Sequence, residues 1–122
     1  MKTIMIVDDA NTVRTYHRMI VASAQRQVEE AENGVEALEK AMGKQIDLFM
    51  VDVNMPKMDG YRLCQEIRRD DALNQVPIIM ISTESQAGDA TKAFDCGANF
   101  YMTKPVDGTT LNDMVSLMLG EE

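Results

Sequence analysis

Residues 48–60 read Leu48-Phe49-Met50-Val51-Asp52-Val53-Asn54-Met55-Pro56-Lys57-Met58-Asp59-Gly60. Four consecutive apolar residues run straight into a carboxylate, and turn formers follow at Asn54, Pro56, Asp59 and Gly60. The apolar run does not alternate. A strand with one wet face alternates apolar and polar residues, whereas a short unbroken run suits a strand covered on both faces. A parallel sheet between two layers of helices meets that condition. The same block recurs at Ile4–Val7 and Ile78–Ile81, with weaker versions at Val28–Ala31 and Phe100–Met102.

Longer mixed segments with helical spacing lie between these runs. Val13, Tyr16 and Ile20 share one helical face. Asn33 followed by Glu36 reads as a capped start and Gly43 as a stop, with Leu38, Ala41 and Met42 as the apolar stripe. Leu63 and Ile67 mark a third helix after Gly60. Ala90, Ala93 and Phe94 mark a fourth, ending near Gly97. Thr110 with Asp113 forms a capping-box pattern ahead of Leu111, Met114, Val115 and Met118. Five strands alternating with five helices predict an α/β, doubly wound parallel sheet, because right-handed crossover helices join parallel neighbours. In such sheets ligands sit outside the carboxyl ends of the strands, so the residues after each apolar run carry the functional reading.

With 122 residues the chain has the size of one domain, residues 1–122, and can bury a real core. Its 20 Asp+Glu against 12 Lys+Arg give a formal net charge of −8. That balance argues against a nucleic-acid partner, which requires a basic face, and against an anionic membrane surface. No apolar run is long enough for a membrane span or a signal peptide, so a cytoplasmic location is expected. Cys64 and Cys96 lack metal-ligand spacing and read as small buried hydrophobes. The 11 methionines read as adaptable core filler. His17, the single histidine, is expected on a helix surface and rules out a His-rich metal site.

The strand ends carry Asp8 and Asp9, Asp52, Ser82 with Thr83, and Lys104 ahead of Pro105. Each has a plainer explanation. Asp8 and Asp9 could cap a helix, Asp52 could serve the turn beyond it, Ser82 could be a helix N-cap and Lys104 a solvated charge. The fold, however, predicts that all of them converge on one sheet edge. Two carboxylates about 5 Å apart repel by roughly 3 kcal/mol at an effective dielectric of 20, so three together call for a cation. Hard oxygen donors without histidine or thiolate suit Mg²⁺, which keeps open positions for a phosphate. Three Asp, Lys104 and Mg²⁺ sum to zero charge. Such a pocket is suited to a phosphoryl group, with one carboxylate as its acceptor.

At Val7-Asp8-Asp9, Val51 through Gly60, Ile81-Ser82-Thr83-Glu84 and Tyr101-Met102-Thr103-Lys104-Pro105 the chain resembles the receiver domain of two-component response regulators. It is most similar to the free-standing chemotaxis (CheY-like) type, from Ile4 to Leu119. The resemblance implies a flavodoxin-like (βα)5 sandwich with strand order 2-1-3-4-5. It implies that Asp52 accepts a phosphoryl group from a chemotaxis-type sensor histidine kinase. Asp9, Asp52 and the Asn54 carbonyl would ligate Mg²⁺, with Asp8 assisting through a metal-bound water. Lys104 would pair with a phosphoryl oxygen, and its bond to Pro105 is expected to be cis. Ser82 would swing onto the phosphoryl group and Tyr101 would turn inward behind it, remodelling the face that partners use.

The implied activity is that of a signalling switch, limited to self-catalysed phosphotransfer and autodephosphorylation. A flagellar motor switch protein or another protein would receive the output, and a phosphatase could end it. Because the chain stops just past its fifth helix, no attached DNA-binding effector is expected. A phosphate sink or relay is the alternative within signalling. An aspartyl-phosphate phosphohydrolase would want a carboxylate at Asn54. A flavin carrier would want a Ser/Thr-rich loop where Asp8 and Asp9 stand. Ser82 replaces a common Thr, Thr83 a common smaller residue, and Ala87, Ala90 and Met114 replace larger or basic residues of the motor-binding relatives.

Overall fold

The computed structural model describes residues Met1–Glu121. In chain order its elements are β1 (Lys2–Val7), α1 (Asn11–Val21), β2 (Arg26–Ala31), α2 (Gly34–Ala41) and β3 (Leu48–Asp52). They continue with α3 (Gly60–Arg69), β4 (Ile78–Ser82), α4 (Ala87–Asp95), β5 (Phe100–Thr103) and α5 (Gly108–Leu119). The strands form one parallel sheet in the order β2-β1-β3-β4-β5. This is the doubly wound parallel sheet expected from the unbroken apolar runs, in the flavodoxin-like strand order that the resemblance implies.

Strand residues alternate between two cores because successive side chains leave a strand on opposite faces. Phe49 and Val51 of β3 pack with Leu63, Ile67 and Ala93 from α3 and α4. Leu48 and Met50 pack with Val21, Leu111 and Val115 from α1 and α5. All five residues of β3 are therefore buried. Each fully buried aliphatic side chain of this kind contributes about 1.5–3 kcal/mol before its entropy cost. Met5, Met50 and Met80 fill the core, while Met1, Met19 and Met42 remain exposed.

Side-chain caps set several helix starts. Asn33 accepts from Glu36 N, Asp59 from Arg62 N and Asp107 from Thr110 N, at 2.8–2.9 Å. Thr110 is therefore not the cap of α5. Asp107 stands three residues earlier, and its carboxylate takes both the Thr110 backbone N–H and its hydroxyl. The N-cap of α4 is Gln86 in a reciprocal box with Asp89, not Ser82. Met42 leaves the expected apolar stripe: α2 ends at Ala41, and Met42 in extended backbone is 78% exposed.

His17 is buried, at 3% exposure, rather than on the helix surface. The inward stripe of α1 runs through His17 to Val21, so Tyr16 faces outward and is partly exposed. Phe94 is similarly exposed, and Ala93 takes the inner place on α4. Cys64 is buried and Cys96 only half-buried. No helix among the described residues is long and apolar enough to cross a membrane.

Candidate functional site

The ends of β1, β3 and β5 bring the acidic and basic groups together. Asp8 and Asp9 follow β1, Asp52 closes β3, and Lys104 follows β5. The Lys104 ammonium donates to Asp8 Oδ2 at 2.8 Å and to Asp52 Oδ1 at 2.9 Å. Asp8 and Asp52 are 2% and 6% exposed, whereas Asp9 stands open to solvent. One carboxylate oxygen from each of Asp8, Asp9 and Asp52 lies within 4.8 Å of the others. The Lys104 backbone N–H donates to Ser82 O at 2.7 Å, and the Lys104–Pro105 peptide is cis.

The loop beyond Asp52 is held tightly against the strand. Gly60 N donates to Val53 O at 2.8 Å, and any side chain at Gly60 would collide with the Asp52 carbonyl oxygen. Glycine is thus required by space, and its N–H starts α3 directly behind Asp52. Lys57, in the same loop, has a left-handed backbone with φ of 68°.

Burial raises the Asp52 carboxyl above its ordinary range. Asp8 and Asp9 add to that rise, while the Lys104 hydrogen bond and charge oppose it. Burial acts to lower Lys104, but bonds to Asp8 and Asp52 outweigh it and hold the ammonium above its usual value. One ammonium does not balance three carboxylates. The donors are all hard oxygens and one of the three carboxylates is open, so the set fits a hydrated divalent ion such as Mg²⁺ and leaves room for a phosphate.

The side chains of Ser82, Asn54 and Tyr101 meet at Glu84. Ser82 is buried, and its Oγ accepts from Glu84 N at 3.1 Å. The Tyr101 hydroxyl donates to Glu84 O at 2.6 Å, and its ring packs against the core half-buried. Asn54 Nδ2 reaches Glu84 Oε1 only at 3.5 Å. Burial raises the Tyr101 hydroxyl, with a Ser82 hydrogen bond acting against the rise.

Two residues beside the site escaped the sequence reading. Arg14 Nη1 donates to the Asp8 carbonyl at 2.6 Å. His17 lines an apolar groove of about 230 Å³ with Val13, Thr83, Lys104 and Pro105. Spacing held a signal for His17, because Val13, His17 and Val21 stand four residues apart on one face. No periodicity marks Arg14, whose carbonyl partner is invisible in sequence.

A family profile described as the response regulator receiver domain matches residues 4–116, and the chain belongs to that family of two-component signalling switches. Within it, the chain is 35% identical to the chemotaxis protein CheY1 of Helicobacter pylori over 96% of both chains. It is also 35% identical to the DNA-binding dual master transcriptional regulator RpaA of Synechocystis over 88% of its own length. It spans only 44% of RpaA. The crystal structure of a putative response regulator from Chloroflexus aurantiacus superposes with a TM-score of 0.92, at 31% identity and 98% coverage of both chains.

Proposed function

We propose that the chain, as a single receiver domain spanning residues 1–122, accepts a phosphoryl group on Asp52 from a sensor histidine kinase and converts it into a change of its protein-binding face. The observation that carries this reading is the Lys104 ammonium bridging buried Asp8 and Asp52 beside open Asp9. Asp8, Asp9, Asp52 and the Asn54 carbonyl would hold Mg²⁺, which when bound draws charge from the phosphoryl oxygens and screens the carboxylates.

An Asp52 oxygen attacks phosphorus, the bond from phosphorus to the donor nitrogen breaks, and the imidazole leaves with the electron pair. Lys104 has three N–H donors and spends two on Asp8 and Asp52, leaving one for a phosphoryl oxygen. Ser82 exchanges its contact at Glu84 for a phosphoryl oxygen, since the new group brings strong acceptors. Tyr101 donates to the Glu84 carbonyl while Ser82 accepts from the Glu84 N–H. When Ser82 turns away, Glu84 therefore loses one of its two anchors and the Tyr101 ring moves inward into the space Ser82 leaves. Differential contact in the two states is what shifts such an equilibrium.

The similarity to CheY1 along almost the whole of both chains favours chemotaxis, with a flagellar motor switch protein as output and a phosphatase ending the signal. A phosphate sink or relay is favoured by Ala87 and Ala90 on α4 and Met114 on α5, which stand where motor-binding relatives carry larger or basic residues. A chain locked in a phosphoryl-mimic state separates the two. Capture of a motor switch protein supports output, and capture of a kinase alone supports a sink.

The main test is phosphoryl uptake from a small phosphodonor with Mg²⁺, read by intact mass. The parent chain gains one phosphoryl group and Asp52→Asn gains none. An undiminished gain in Asp52→Asn overturns the assignment.

A further inference from the structure

Arg14 is a largely buried cation, its side chain 12% exposed, that the phosphotransfer reading leaves without a role. Its position follows from where the sheet stops. The β1–β2 register ends at Val7 opposite Ala31, and Asp8 N still donates to Ala31 O at 3.1 Å. Beyond Ala31 the chain turns away, because Asn33 caps α2. The Asp8 carbonyl therefore stands past the last β2 rung, and Arg14 Nη1 supplies its hydrogen bond at 2.6 Å.

The guanidinium is clamped on its other sides. Nε donates to Glu30 Oε1 at 3.0 Å and Nη2 to Asn11 Oδ1 at 3.1 Å. Glu30 is held in turn by Arg18 at 2.7 Å, and its backbone carbonyl by Lys40 at 2.6 Å. The carbonyl that Arg14 grips belongs to the peptide joining Asp8 to Asp9. Fixing that plane sets the backbone angles that aim both carboxylates. Asp8 Oδ1 is further tied to Ala10 N at 2.9 Å, so the turn carries its two acids as one rigid piece.

We infer that Arg14 is a positioning residue for the cation and phosphoryl site, acting through the Asp8–Asp9 peptide with Glu30 as its anchor. This rests on the receiver reading above. Positioning and simple charge predict opposite signs. Removing a positive charge near a cation site tightens cation binding by Coulomb's law. Releasing the peptide that aims two ligands weakens it, and outer partners of metal ligands are worth about 10–100-fold in affinity. Lysine keeps the charge but lacks the planar fork that reaches three acceptors at once.

The test is calorimetric titration of Mg²⁺ into the unphosphorylated chain, at a temperature where circular dichroism shows each variant folded. Arg14→Gln and Arg14→Lys are both expected to bind about tenfold more weakly, and Glu30→Gln to fall between them and the parent. Phosphoryl uptake in Arg14→Lys should shift to higher Mg²⁺ and recover at saturation, which a loss of folded protein does not imitate. Unchanged or tighter binding in Arg14→Gln, or parent-like binding in Arg14→Lys, overturns the inference alone. Glu30→Gln keeps it testable should the Arg14 variants fail to fold, with parent affinity there overturning it. Absence of Mg²⁺ binding in the parent chain overturns both this inference and the reading beneath it.

Discussion

The two edges of the sheet each bury a cation, and they treat it in opposite ways. At the amino edge, Arg26 of β2 gives all five of its N–H groups to protein acceptors: Glu121 twice, Asn112, Ser116 and the Val21 carbonyl. At the carboxyl edge, Lys104 spends two of three donors on two of three clustered carboxylates. The amino edge is saturated, while the carboxyl edge keeps an unspent donor and surplus negative charge. Cavity size does not distinguish function here, since the larger hollow, about 870 Å³, lies beside Arg26. Incomplete satisfaction does, because it leaves something for an incoming phosphoryl group to complete.

Arg26→Ala gives the sharpest contrast. It removes five hydrogen bonds at a buried position and is expected to cost about 3 kcal/mol in urea unfolding. Phosphoryl uptake by the folded fraction should be unchanged, and a parallel loss of uptake would erase the distinction between the edges. Next in size is Mg²⁺ itself. At a hundred times its Kd it should stabilise the chain by about 2.7 kcal/mol. Asp9→Asn should lose most of that gain, and a full gain in that variant would break the assignment of the surplus charge.

Asp52→Asn should stabilise the cation-free chain at neutral pH, by less than Mg²⁺ does. Burial and its acidic neighbours raise Asp52, so the folded state disfavours its charge. Stability falls as pH rises through the window between the unfolded value and the raised one, and Asn escapes that cost. A lower melting temperature for Asp52→Asn without cation would contradict the imbalance. The smallest effect belongs to Glu30. Burial works to raise it, but hydrogen bonds from Arg18 and Arg14 hold it below its ordinary 4.5. Its contribution is present above pH 4.5 and lost as pH falls through the depressed value. Glu30→Gln should remove about 0.5 kcal/mol of that acid-sensitive stability, since the pair is partly exposed. An unchanged acid limb would refute it.

Legibility from sequence followed the physics of each element. The runs at residues 4–7, 48–51 and 78–81 were plain because strands buried on both faces need no polar residue. The edge strand β2 begins two residues before the weaker candidate at Val28–Ala31, because Arg26 is buried by ion pairing rather than by hydrophobicity. Helix starts with Asn or Asp followed by a donor three residues on were readable at Asn33. At α5 the pattern at Thr110 and Asp113 pointed three residues too late, because Asp107 is the cap and its carboxylate serves two donors at once.

Convergence of Asp8, Asp9, Asp52 and Lys104 was also readable, since strand ends share an edge in any parallel sheet. What was hidden depends on side chain meeting backbone. The grip of Arg14 on the Asp8 carbonyl and the meeting of Ser82 and Tyr101 at Glu84 leave no spacing in the sequence.

The Arg26–Glu121 clasp also has a consequence in time. Its partners are 95 residues apart. At a synthesis rate of about 5–20 residues per second, Arg26 leaves the ribosome roughly 5–20 s before Glu121 follows. Throughout that interval its guanidinium is served by water and by local chain. The amino edge therefore closes only after Glu121 is made, whereas the groups of the acidic carboxyl edge are all in the chain by Lys104.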